Sequence, residues 1–216
     1  MTPRMACAVK LPVTPAAISR PARTTVTKHK LFAAALELMG DRGPAGVTVD
    51  EIAARAHVAK GTVYYNFGSK DGLIDELLRH GVALLAERLS EAERESDPIA
   101  AVERLVDGAL SFFGEYPAFA QLLLSEMWRT PGQWHDTMTL LRDNLMSIFK
   151  AVIGRLAADG HIPGPTEVDT AAAALFGTLV VVTLDWLTFQ PDRTKDEVRR
   201  SVMSLVLGLT GHAARR

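Results

Sequence analysis

Thr48–Lys70 reads TVDEIAARAHVAKGTVYYNFGSK, and its spacing decides the fold class. Thr48 followed three residues later by Glu51 is a capping box. The hydroxyl accepts the Glu51 N–H while the carboxylate reaches back to the Thr48 N–H, so a helix starts here. Ile52, Ala53 and Ala56 put small and apolar groups on one face, and this helix is expected to stop near His57. A second short helix is predicted from Lys60 to about Asn66, with Val63 and Phe67 turned inward. Two short helices joined by a turn of about three or four residues make a helix-turn-helix. In that motif the second helix enters the DNA major groove.

Working outward, Leu31, Ala34, Ala35, Leu38 and Met39 recur at helical spacing and predict a first helix over Thr27–Arg42. Gly43-Pro44-Ala45-Gly46 ends it and leads into the capping box. This helix would close a three-helix domain over Ile52, Val63 and Phe67. On the other side, Ser69 has the form of the next N-cap. Leu73, Leu77, Leu78, Leu84, Leu85 and Leu89 carry a fourth helix to about Glu95, long enough to link the head rigidly to the body of the chain.

These positions carry a family resemblance. Thr48-Val49, Ile52-Ala53, Ala56, Val58, Thr62-Val63-Tyr64, Phe67, Ser69-Lys70 and Leu73 resemble the N-terminal pattern of the TetR family of bacterial transcriptional regulators. Leu31-Phe32, Ala34-Ala35, Leu38 and Gly43 extend the match back, so it covers roughly residues 27–80. The resemblance implies DNA contacts from Thr48, Lys60, Gly61, Thr62, Tyr64, Tyr65, Asn66 and Lys70. Lys60 and Tyr64 would meet base edges, Gly61 would let the backbone approach, and the others would bind phosphates. Three positions depart from the pattern. His57 stands where glycine is usual, at a site that needs a left-handed backbone. Ala59 stands where a capping Ser is common, which forgoes on the order of 1 kcal/mol. Asn66 stands where His is usual.

Charge is distributed to match. Residues 1–70 hold 10 Lys+Arg and 4 Asp+Glu, leaving 14 and 21 for residues 71–216, a balance of +6 against −7. A basic head on an acidic body suits polyanion binding by the head alone. Residues 1–23 carry Pro3, Pro12, Pro15 and Pro21 and no acid, and read as a disordered basic tail. Residues 24–70 form the expected helix-turn-helix domain, and 71–216 a helical effector-binding and dimerisation domain. Cys7 is the single cysteine and lies in the tail, so no intrachain disulfide is possible and a reducing compartment is expected. The longest charge-free apolar run, Ala171–Leu184, is shorter than the ~18–20 residues of a membrane span. Met5–Val9 is too short for the core of a signal peptide, so a cytoplasmic location is expected.

After Asp97-Pro98 the apolar period stays helical, with breaks at Pro117, Pro131-Gly132, Gly160–Pro165 and Pro191. The class is therefore all-α, with about nine helices. The eighth, apolar all round from Ala171 to Leu184, is expected to see no water on either face. The ninth adds Val198, Val202, Leu205, Val206 and Leu209. The resemblance implies a homodimer through these last two helices, reading a palindromic operator of double-stranded DNA. Phe112, Phe113, Phe119, Met127, Trp128, Trp134, Met138 and Trp186 are candidate linings of a pocket for a largely apolar effector. Glu126, Arg129, His135 and Asp185 are its candidate polar anchors. No hydrolase elbow, zincin, P-loop or dinucleotide motif is present, so neither catalysis nor a cofactor or metal is expected. The expected function is a DNA-binding repressor released by a small ligand. The alternatives are an activator, a regulator without a ligand, or a helical interaction protein with a relic head.

Overall fold

The computed structural model describes residues 20–127, 135–161 and 167–211, without the side chains of 20–24, 41, 126–127, 135–138 and 209–211. Among these residues the chain forms nine α-helices and no strand, as expected of the all-α class. They are α1 (Arg20–Arg42), α2 (Val49–Arg55), α3 (Lys60–Phe67), α4 (Lys70–Ser90), α5 (Pro98–Glu115), α6 (Pro117–Met127), α7 (His135–Ala158), α8 (Val168–Phe189) and α9 (Lys195–Gly211). Helix α1 begins at Arg20, so residues 20–23 belong to a helix and not to the expected tail. Pro21 is compatible with this start, because N–H groups of the first turn have no intrahelical partner.

Helix α4 stops at Ser90, short of the expected Glu95, and a 3₁₀ turn follows over Glu91–Arg94. Arg155 of α7 captures that turn, donating to the carbonyls of Glu95 at 2.5 Å and Ala92 at 3.0 Å. Asp97 then caps α5, accepting from the backbone of Ile99 and Ala100, with Pro98 in the first turn. Leu31, Ile52, Val63, Leu73, Leu85, Leu105 and Phe149 are all fully buried and belong to one core running from head to body.

Two glycines set the approach of neighbouring helices. A Cβ on Gly72 would lie 2.1 Å from the Phe67 carbonyl oxygen, so the start of α4 can tuck against the end of α3 only with glycine there. A Cβ on Gly81 would lie 2.1 Å from the Phe119 ring, which fixes the α4–α6 contact.

Helix α8 departs from two expectations. By length and composition it is long and apolar enough to cross a membrane, because Asp169 and Asp185 interrupt the charge-free run near its ends without making it polar. It also presents one face outward: Ala173, Ala174 and Phe189 are exposed, as is Val181 at 54%, and only 33% of its most apolar stretch is buried. Ala172, Leu175, Phe176, Leu179 and Val180 bury the opposite face in the body. The apolar run is thus explained only in half by the chain's own core. Gly177, midway along α8, has nothing within 4 Å of its would-be Cβ.

Candidate nucleic-acid interface

The capping box at α2 forms as the sequence requires. Thr48 Oγ1 accepts the Glu51 N–H at 3.3 Å, and Glu51 Oε2 accepts the Thr48 N–H at 2.8 Å. Arg42 at the end of α1 donates to Glu51 at 2.7 Å. That guanidinium first, and then the Thr48 N–H and hydroxyl, hold the Glu51 carboxyl at about 2. The turn after α2 places His57 at φ 56°, the left-handed conformation in which glycine is expected.

Helix α3 then leaves with Ala59 as its N-cap, extended at φ −70° and ψ 144° and with no side-chain hydrogen bond. Val63 is fully buried, and Phe67 packs on Phe32 of α1 at a ring separation of 5.7 Å. The opposite side of α3 faces out: Tyr65 is 89% exposed and Tyr64 45%. Gly61 and Lys60 are exposed at its N-terminal end, and open space surrounds Gly61. Thr48 is exposed, Thr62 and Lys70 partly so.

Two of the expected DNA-contacting side chains are already engaged. The Lys60 ammonium pairs with Asp50 of α2 at 2.8 Å, a bond that raises its pKa. Asn66 donates one amide N–H to the Thr62 carbonyl at 2.7 Å, one turn back in its own helix, and keeps a second N–H. Three further cations of the head are held in ion pairs. Lys28 pairs with Glu76, Arg42 with Glu51 and Arg55 with Glu37. Lys70 and Lys30 carry no ion pair among the described residues. Sequence composition shows the excess but not these pairings, which depend on which helices meet.

The orientation of α3 is fixed from α4. Ser69 caps α4 by accepting the Gly72 N–H at 2.9 Å. Lys28 of α1 reaches both Glu76 of α4, at 2.5 Å, and the face of Phe67, 5.5 Å from its centroid. His29 of α1 and His80 of α4 meet edge to face at 5.3 Å, a contact the sequence reading missed. Burial first, and then His29, lowers the His80 pKa.

The candidate effector residues separate into three groups. Phe112, Phe113 and Phe119 are at most 2% exposed and form an edge-on aromatic cluster, continued by Phe176 and Phe149. Trp186 packs on the same core, its ring 3.8 Å from a would-be Cβ on Gly114, and donates its indole N–H to the Arg193 carbonyl, closing the α8–α9 corner. Asp185 accepts from Gln190 in the same corner. Met127, Trp128, Trp134 and Met138, with Glu126, Arg129 and His135, lie outside the described residues or side chains. A cleft of about 280 Å³ opens between α4 and α5, lined by Leu84, Glu87, Arg88, Glu91, Phe112 and Tyr116, of which only Phe112 was expected. No group of three or more potential metal ligands occurs among the described residues.

Comparison with known proteins agrees with this geometry. Residues 31–77 match the family of bacterial regulatory proteins, tetR family. The chain is 28% identical over 171 residues to the HTH-type transcriptional regulator TtgR of Pseudomonas putida, covering 74% of this chain and 80% of that one. Over 77 residues it is 35% identical to the HTH-type transcriptional repressor Rv3405c of Mycobacterium tuberculosis, covering 36% and 39%. The fold matches that of FadR from Bacillus subtilis, solved with stearoyl-CoA, at a TM-score of 0.73 and 19% identity, covering 84% of this chain and 98% of that one. The head, residues 31–77, is therefore that of the tetR family of bacterial regulatory proteins, and the fold of the whole matches a solved regulator.

Proposed function

We propose that this chain is a homodimeric repressor that binds a palindromic DNA operator through α3 and is released by a small molecule held in the body. The observation that carries the reading is the two-sidedness of α3: Val63 is 0% exposed while Tyr64 and Tyr65 stand exposed beside Gly61 and Lys60. A helix so anchored presents aromatic, cationic and bare-backbone groups together, which suits entry into a major groove. Thr48, Thr62 and Lys70 flank it as phosphate contacts. Repression is supported by the similarity to Rv3405c. An effector is supported by the shared fold of a regulator solved with stearoyl-CoA.

The dimer rests on the outer face of α8 and α9. Val181 at 54% and Phe189 at 77% on α8, and Leu205 at 57% on α9, are exposed large apolar groups. An apolar face of this kind marks an association surface. Burial of α8 against a second copy, rather than in a bilayer, fits a regulator acting in the cytoplasm.

The test is capture of sheared genomic DNA by the purified full chain, followed by footprinting. A protected two-fold symmetric sequence with half-sites about 34–36 Å apart, or a multiple of that, is the expected result. Association that depends on salt alone, with no preferred sequence, overturns the reading in favour of a helical interaction protein with a relic head.

A further inference from the structure

We infer that the cleft between the C-terminal parts of α4 and α5 is a binding site for an organic cation with an aromatic or apolar body. Such a cation would be the effector of the repressor proposed above, and its consequence on DNA rests on that reading. The binding itself stands on separate observations.

The chain already contains a cation seated there. The Arg88 guanidinium lies over the Phe112 ring, 5.6 Å from its centroid. It also forks onto Glu115, with Nη1 to Oε1 at 3.0 Å and Nη2 to Oε2 at 3.1 Å. An aromatic face backed by a carboxylate is the arrangement that holds a desolvated cation. Arg88 satisfies it from within.

The remaining charges of the cleft are acidic. Glu87 carries no ion pair among the described residues, and Glu91 shares Arg104 with Glu95, at 3.8 Å against 2.5 Å for the latter. An incoming anion would have to take Arg88 from Glu115 and then face three carboxylates. An incoming cation takes the place of Arg88 on Phe112 and Glu115, and Glu87 adds to its attraction.

The cleft is placed to act on the head. Leu84, Phe112 and Tyr116 also line a narrow crevice beneath it, which runs to Leu36 of α1 and to His80 and Gly81 of α4. Arg88 sits on the helix that begins beside the end of α3. A ligand that displaces Arg88 therefore loosens α4 from α5 at one end of the element that orients the DNA-reading helix at the other.

The experiment is calorimetric titration of the full chain, without DNA, using benzyltrimethylammonium, the anion 4-tert-butylbenzoate and neutral tert-butylbenzene. Saturable binding of the cation alone is expected. Arg88→Gln removes the internal competitor and raises cation affinity by about 2- to 30-fold, while Glu115→Gln and the exposed Glu87→Gln each lower it. Cation binding that is absent from both wild type and Arg88→Gln overturns the inference. So does an affinity that all three variants leave unchanged, or a preference for the anion that Arg88→Gln abolishes. Genomic DNA capture, run in parallel, separates the outcomes: a chain that binds the cation but no DNA retains the site and loses the repressor reading.

Discussion

The Lys60 ammonium lies 2.8 Å from the Asp50 carboxylate, joining the first residue of α3 to the first turn of α2. A cation at a helix N-terminus opposes the helix dipole, and Asp50 offsets that while placing a negative charge on the surface proposed to face DNA. Asp50→Asn should therefore strengthen binding to all DNA sequences and steepen the salt dependence by about one unit. Lys60→Ala should instead cost roughly 1–3 kcal/mol of discrimination if the side chain swings to a base edge. Electrophoretic titrations at several salt concentrations distinguish the two. Identical salt slopes for wild type and Asp50→Asn would show that Asp50 does not restrain the contact.

Ala59 leaves α3 without a side-chain cap. Its backbone is already extended at φ −70° and ψ 144°, the conformation a capping residue adopts, so Ala59→Ser needs no rearrangement. A gain of about 1 kcal/mol is expected, or roughly 2–4 °C in Tm for a chain of this size. Thermal unfolding in the absence of DNA checks this. A Tm that does not rise would mean that the first turn of α3 gains nothing from a capping hydroxyl.

The outer face of α8 permits a test of the dimer that avoids damage to the core. Gly177→Leu adds a side chain at a position where this chain offers nothing within 4 Å of a Cβ. Open space around that Cβ means that loss of the dimer with helix content retained would point to a clash with a second copy. Val181→Glu and Leu205→Glu should give folded monomers, because each places a charge on exposed apolar surface. Sedimentation velocity with circular dichroism reads both properties. A wild type that sediments as a monomer at micromolar concentration refutes the seam.

The head was legible in sequence because its signals are local. The capping box, the left-handed His57, the uncapped Ala59 and the Ser69 cap each depend on residues within one turn. The engaged state of Lys60 and Asn66 was not, since a side chain's partner depends on how helices are set. The same holds for the cleft. Arg88 and Glu115 are 27 residues apart and read separately as solvated charges. The aromatics Phe112, Phe113 and Phe119 read as pocket lining, yet close packing makes them mostly core. For α8 the pattern led to an expectation of burial all round, whereas the fold buries one face and leaves Val181 and Phe189 exposed.

The His29–His80 contact joins the head to the linking helix, and its response to acid can be derived. His80 is flanked by His29 at 5.3 Å and Phe32 at 5.6 Å, both on α1. The His29 Nδ1 atom is buried without a hydrogen-bond partner. Glu76 on α4 is the acidic group that opposes the shift, and it is itself paired with Lys28. Burial first and His29 second lower the His80 pKa below 6.5. The folded protein then binds fewer protons at this site than the unfolded chain, so stability rises with pH through this range. The contribution is fully present above pH 6.5 and declines as pH falls below it, down to the lowered pKa of the folded state. Protonated His80 would also repel Lys28 and any charge on His29, separating α1 from α4 where α3 takes its orientation. Tm measured from about pH 8 to about pH 5 should therefore fall more steeply for wild type than for His80→Gln. The difference between the two curves should open below pH 6.5. His29→Gln should show an intermediate slope, since it removes the second cause and leaves the first. Parallel curves for wild type and His80→Gln would place the acid sensitivity elsewhere in the chain.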